Sequence, residues 1–286
     1  LQIELFHMDN IYWKKDKTHI SRGELISAVD RIISQSEWIL DGNYISTIEQ
    51  RIKGADTIFL FDYTTKDCLE GVKSRIGVKR DDIPWIETKL DPDFQKWIMD
   101  FRKDTLPQIE KILERYKYKK IIRFANYIKY RIKENRPGDM AEVFRTNVLK
   151  ENQFPEFPNE RFLSEDVCWI EIGKKYDSVY INKAIYECEY LQEGLTSNDK
   201  PMKFQSPCGS MARGKELMSR ECGLKANIKG AIIYNCYRKC LVTEVPKCLE
   251  LSILNRILVI VTIPLGNLFY KKWKNEKNKS ILDKKM

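Results

Sequence analysis

The chain has 286 residues, enough for two domains of ordinary size or one large one. A hydrophobic fraction of 43% beside 32% charged residues excludes an intrinsically disordered chain and describes a globular one. The net charge of +9 leaves nucleic acid, anionic lipid, a phosphorylated substrate or a merely lysine-rich surface as explanations.

In chain order, residues 2–6 alternate as a strand does, and His7-Met8-Asp9-Asn10 reads as the loop after it. Because the chain opens on Leu1 inside this pattern, a missing upstream piece is expected. Ser21 with Glu24 three residues on makes a capping box, and Leu25, Val29, Ile32 and Ile33 form the apolar stripe of the following helix. Trp38, Ile39 and Leu40 read as a short buried strand ended by the turn Asp41-Gly42-Asn43. A helix over 46–53 and the buried strand "TIFLF", ending at Asp62, come next. A long, charged helical region carries Arg75, Lys79 and Arg80 and is broken by Pro84 and Pro92. A helix from Pro92 through Trp97 and Arg102, another over 107–116 and a strand over 119–124 complete this half. Strands alternating with helices predict an α/β layered, parallel sheet.

At "ENRPG", residues 134–138, the pattern changes, and Pro137-Gly138 is a breaker pair. The amphipathic segment "DMAEVFRTNVLKE" and the proline-interrupted loop "FPEFPNERF" follow. "SEDVCWIEIGKKY" opens with a cap at Ser164 and reads as a helix, and "SVYINKAIYECEY" as a strand or hairpin. After Gly194 the chain reads as mostly helical. Seven of the eight cysteines lie in this half, none in a C-x-x-C pair, and the only histidines are His7 and His19. A zinc site is therefore not expected; reduced thiols of a cytoplasmic protein are.

"FHMDNIYW", "WILDGNY", "RIKGADTIFLFD" and the arginine-bearing stretch after Cys68 together resemble adenylate-kinase-like P-loop proteins of the topology modulation type, over residues 1–133. In that family a strand and a Walker A loop precede the H-x-D segment, and the loop's backbone donors and lysine cradle the phosphates. The chain begins after the place where that loop belongs. The resemblance implies that Asp9 sits near the acceptor hydroxyl and that Asp41 faces magnesium. It also implies that Arg75, Arg80 and Arg102 neutralise the migrating phosphoryl group, with Asn43 among the substrate-binding residues. The plainer alternative is that Asp9 and Asp41 cap turns and the arginines are solvated. "IPWIETKLDP" also departs from the family's glycine-cysteine-proline turn in the lid.

The motifs "GDMAEVFRTNVLKE", "FPEFPNERFLSEDVCW", "KKYDSVYINKAIYECEYLQEGLT" and "SPCGSMARGKELM" resemble the carboxyl-terminal half of an inverting family-2 glycosyltransferase with a GT-A fold. This match covers residues 136–286, and the domain reading is therefore 1–133, a junction at 134–138, and 139–286. The resemblance implies that Glu165 or Asp166 is the general base that deprotonates the acceptor hydroxyl. Trp169, one turn on, either stacks on a sugar face or belongs to the core. Both acids also suit a helix's first turn. The upstream sequence "FLFDY" holds no D-x-D metal motif.

The tail "ILVIVTIPLGNLFYKKWKNEKNKS" sets an interrupted apolar stretch before lysines and Trp273. It is too short to span a bilayer and reads as an interfacial helix on anionic lipid, or as a core helix with a solvated tail. The combined expectation is an α/β fold, with a partial P-loop-kinase-like parallel sheet followed by a mostly helical glycosyltransferase-like half. Functionally it reads as a fusion of transferase pieces, best described as a glycosyltransferase impaired because its donor-binding half is missing. The alternatives are a P-loop kinase-like protein without its phosphate loop, or a non-catalytic chimera or membrane-surface binder. Magnesium or manganese is implied only by resemblance and none is expected to bind tightly. Nucleotide or nucleotide sugar and an anionic membrane surface are the expected partners, nucleic acid is not, and the expected location is cytoplasmic, peripheral at the inner membrane.

Overall fold

A computed structural model describes residues 3–136, 140–187, 189, 199–242 and 244–283, without the side chains of 276–283. The expected break at Pro137-Gly138 and the far end of the expected hairpin, at Cys188 and Tyr190, lie outside the described residues. The fold is mixed α/β and mostly helical, with two small sheets. It divides into two compact units, Leu1–Phe124 with Val179–Lys183, and Ala125–Ser178 with Ala184–Met286.

In the first unit, β1 (Leu5–His7) pairs in parallel with β2 (Ile39–Asp41), and the register sets His7 opposite Asp41. The expected loop after β1 is instead a short helix, α1 (Met8–Tyr12). The reason is Met8, fully buried against Leu25 and Val29, which winds the chain inward directly after the strand. Helix α2 (Arg22–Ile33) starts with the expected capping box. Glu24 N–H donates to Ser21 Oγ at 3.3 Å, and Ser21 N–H to Glu24 Oε2 at 2.7 Å. Such a cap is worth about 1 kcal/mol.

Helix α3 (Ile45–Gly54), β3 (Thr57–Asp62), α4 (Thr65–Ser74), α5 (Pro92–Asp104), α6 (Leu106–Arg115) and β4 (Lys120–Asn126) follow. With β5 (Asp177–Ile181), β3 and β4 form a separate three-stranded sheet in the order β3-β4-β5, so the strands do not join one layer. Two strands expected to be buried are covered on one face only. Ile58 and Leu60 pack on Ile48, Ile52, Ile109 and Leu113, whereas Phe59 and Phe61 are 56% and 60% exposed. Ile39 in β2 is likewise exposed. Period-two alternation puts odd and even residues on opposite faces, and an apolar run does not reveal whether both faces are covered.

The charged region expected to be helical stops at Ser74. Beyond it Gly77 takes φ +78°, and Arg80 pairs with both Asp82 and Glu87. A partner two residues away does not share a helix face with Arg80, and the loop is closed by the pairs with Asp82 and Glu87 instead.

The second unit holds α7 (Thr146–Glu151), α8 (Asp166–Gly173), α9 (Asp199–Gln205), α10 (Pro207–Leu217), α11 (Leu224–Arg238), α12 (Ile253–Val261) and α13 (Ile263–Asp283). The amphipathic segment before α7 is helical only over that last part. Helix α8 is preceded by Glu165 rather than by a Ser164 cap, with no side-chain cap hydrogen bond. Val167, Ile170, Met211, Ala231, Tyr234 and Cys236 centre its core. Helices α10 and α11 cross with their backbones in contact. A Cβ on Gly230 would lie 2.5 Å from the Gly214 carbonyl oxygen, and one on Gly214 would lie 2.7 Å from that of Gly230. Only hydrogen side chains fit there.

Candidate functional site

In the first unit the parallel register brings Asp41 beside His7, with Nδ1 and Oδ2 3.0 Å apart. Asp9, in α1, accepts from the Tyr44 hydroxyl at 2.6 Å. Burial, and then that bond, push the Tyr44 phenol above its ordinary range. The turn between them is held from beneath by Arg51, which donates to the Gly42 carbonyl at 2.8 Å and the Tyr44 carbonyl at 3.1 Å. Burial lowers Arg51 to about 10, with Asp41 and Tyr44 opposing the shift. Sequence reading missed Arg51. Its signal was an arginine between Ile48 and Ile52 on the buried side of α3. Gly42 has φ +118°, and a Cβ there would meet Met8 Cβ at 2.7 Å. Asn43 is exposed on the turn.

The three arginines are not gathered at these carboxylates. Arg75 turns back along α4 to the Gly71 carbonyl at 3.0 Å. Arg80 is tied into its own loop, though Asp9 lies within electrostatic range of it. Arg102 holds Asp62 at 2.8 Å, and Arg123 holds the other oxygen of Asp62 at 2.8 Å while reaching Glu110 at 2.6 Å. Asp62 is thus a buried structural anion at the end of β3. One oxygen of Asp41 faces His7, and no three His, Cys, Asp or Glu groups converge as a metal site among the described residues.

The second unit contains a cleft of about 770 Å³, with Glu165, Asp166 and Trp169 on its wall. The start of α8 delivers all three. Asp166 is gripped by Arg213, whose Nε lies 2.7 and 3.1 Å from the two carboxylate oxygens. Glu165 is exposed, and its carboxylate has no partner among the described residues. Trp169 stacks on Phe144 with centroids 4.2 Å apart and meets Phe154 edge-on at 5.6 Å, so its ring is fixed while it lines the cleft. Among the described lining residues six are basic, Arg131, Lys133, Arg136, Arg213, Lys225 and Lys229, against the acids Glu142, Glu165 and Asp166. Sequence reading singled out Glu165 and Asp166 and missed the cations, which come from several elements far apart in the chain. Partial burial and then Arg213 hold the Lys229 ammonium below the ordinary lysine range, with Asp166 opposing.

Elsewhere in this unit Lys174 bridges Glu171 and Glu216, the latter at 2.8 Å. Burial, and then its neighbour Glu171, raise the Glu216 carboxyl to about 7; hydrogen bonding lowers that of Glu171. The thiols of Cys168 and Cys208 are pushed up by burial, to about 11 and about 12, and behave as core side chains. Comparison with protein-family models, with curated proteins and with solved structures yields no match for this chain.

Proposed function

We propose that the second unit is the acceptor-binding part of a sugar-transferring enzyme, with Glu165 as general base. The observation that carries this reading is the unequal treatment of two adjacent carboxylates. Asp166 is committed to Arg213 through both oxygens, whereas Glu165 stands exposed and unpaired on the same cleft wall. In the reaction, Glu165 takes the proton of an acceptor hydroxyl as its oxygen attacks the anomeric carbon of a nucleotide sugar. The Asp166–Arg213 pair holds the start of α8 in place. Trp169, braced by Phe144 and Phe154, offers the cleft a rigid apolar surface on which a sugar ring packs. The kinship to glycosyltransferases of family 2 belongs to this proposal, as does the P-loop-kinase-like character of the first unit. The latter finds support in the parallel β1–β2 pair with Asp41 at its carboxyl end.

The test is release of nucleoside diphosphate from a panel of nucleotide sugars with saccharide acceptors. Glu165→Gln is expected to lower the rate by about a hundredfold or more, as for loss of a general base. Asp166→Asn is expected to lower the melting temperature as well, because it strips Arg213. Unchanged transfer in Glu165→Gln, or no transfer by the wild-type chain across the panel, overturns the proposal.

A second reading, compatible with the first, rests on α12 and α13. Ile253, Leu254, Ile257, Ile260, Val261 and Leu268 are all exposed on these two helices, which meet at a 63° bend. No single helix among the described residues is long and apolar enough to cross a membrane. Exposed Lys271, Lys272 and Lys274 follow directly. Exposed apolar residues followed in sequence by lysines suit the interface of an anionic bilayer.

A further inference from the structure

We propose that the cleft wall formed by Arg213, Lys225 and Lys229 is a binding site for the phosphate group of an anionic ligand. This deepens the acceptor-site reading and rests on it for the sugar end of that ligand.

The site is built by the close crossing of α10 and α11. Arg213 and Lys229 directly precede Gly214 and Gly230, whose backbones touch, so the two cations are brought side by side. Lys225 lies one turn before Lys229, and both side chains line the same cleft. Like charges four residues apart on a helix repel. Neither lysine has an ion-pair partner among the described residues, and Asp166 is ion-paired to Arg213. Burial first and then Arg213, with smaller effects from Lys203 and Lys225, act against the Lys229 ammonium, and Asp166 offsets only part of this. An arriving anion relieves that repulsion, and a phosphate has enough oxygens to meet three cations.

Other features of the wall agree. Lys133 reaches the same end, its Cε 3.7 Å from where a Cβ of Gly223 would stand. Helix α11 is preceded by Gly223, which supplies no side-chain cap, and its first residues line the cleft, adding backbone donors to the cations. A volume of about 770 Å³ suits a small molecule. Trp169 and Tyr127 on the walls favour a ligand that carries a ring as well as its phosphate.

The probe is pyridoxal phosphate with borohydride, applied to the full chain. An unprotonated lysine amine condenses with the aldehyde, losing water to form an imine. Hydride from borohydride then reduces the imine to a stable secondary amine, mapped by mass spectrometry. Labelling is expected to concentrate on Lys229 or Lys225 and to be blocked by inorganic pyrophosphate but not by sodium chloride of equal ionic strength. Lys225→Gln is expected to weaken pyrophosphate protection of Lys229 about tenfold, as for loss of one charged hydrogen bond, with unchanged circular dichroism. Anionic vesicles added in a parallel arm distinguish the source. Protection by vesicles assigns the phosphate to a lipid headgroup, and protection by pyrophosphate alone assigns it to a soluble ester. The proposal is overturned if pyrophosphate protects all lysines equally, if it protects none, or if Lys225→Gln matches the wild type. Because the readout contains no sugar transfer, failure of the Glu165 proposal leaves it standing, and its own failure leaves Glu165 untouched.

Discussion

Replacing Lys271, Lys272 and Lys274 together by glutamine should detach the chain from anionic vesicles without unfolding it. The three lysines are exposed on α13, within two turns of exposed Leu268. A lysine near an anionic surface contributes about 1 kcal/mol, so the triple change should weaken partitioning roughly a hundredfold at low salt. The apolar part acts separately. Ile253 and Leu254 are 77% and 78% exposed, so most of the about 2 kcal/mol available from burying each side chain is unrealised in the free chain. Leu254→Asn with Ile257→Asn should therefore weaken binding to neutral and anionic vesicles alike, whereas the lysine variant should lose only the preference for charge. Sedimentation with both vesicle types at low and high ionic strength reads the two contributions apart. Lys274 lies 5.6 Å from the Tyr270 ring centroid, so the melting temperature is the control for folding. If the lysine variant sediments like the wild type, or if the wild type ignores lipid charge, the interfacial account fails.

Two further outcomes follow from the packing of the second unit. Gly230→Ala should lower its stability by about 2 kcal/mol, because the new methyl meets the Gly214 carbonyl at 2.5 Å, a backbone atom that cannot step aside; a thermal melt matching the wild type would refute the close crossing. Glu216, raised in the fold to about 7 from 4.5, binds its proton more tightly folded than unfolded. Its contribution is then fully present below pH 4.5 and is lost as the pH rises through about 7. Glu216→Gln should flatten that decline in urea denaturation series taken at intervals of pH, and a wild-type stability that rises across the same interval would refute the assignment.

The elements legible in the sequence were those whose cause is local. The Ser21–Glu24 capping box, the stripe of Leu25, Val29 and Ile32, and the proline start of α5 each depend on residues within a turn or two. Glu165, Asp166 and Trp169 were singled out for the same reason, as neighbours in one short motif at the start of α8. What the sequence left open was decided by contacts between distant residues. Met8 converts an expected loop into a helix because Leu25 and Val29 lie beneath it. Phe59 and Phe61 face outward although Ile58 and Leu60 do not, since only the folded sheet determines which side receives a second layer. The choice between two adjacent acids depends on Arg213, 47 residues further along the chain, which occupies Asp166 and leaves Glu165 open. The cations of the cleft were invisible for the same reason. Lys225 and Lys229 look like the solvated face of a helix until the contact of Gly214 with Gly230 brings α10 against α11 and sets Arg213 beside them. Local propensity writes the helices, and the crossing of two of them makes the site.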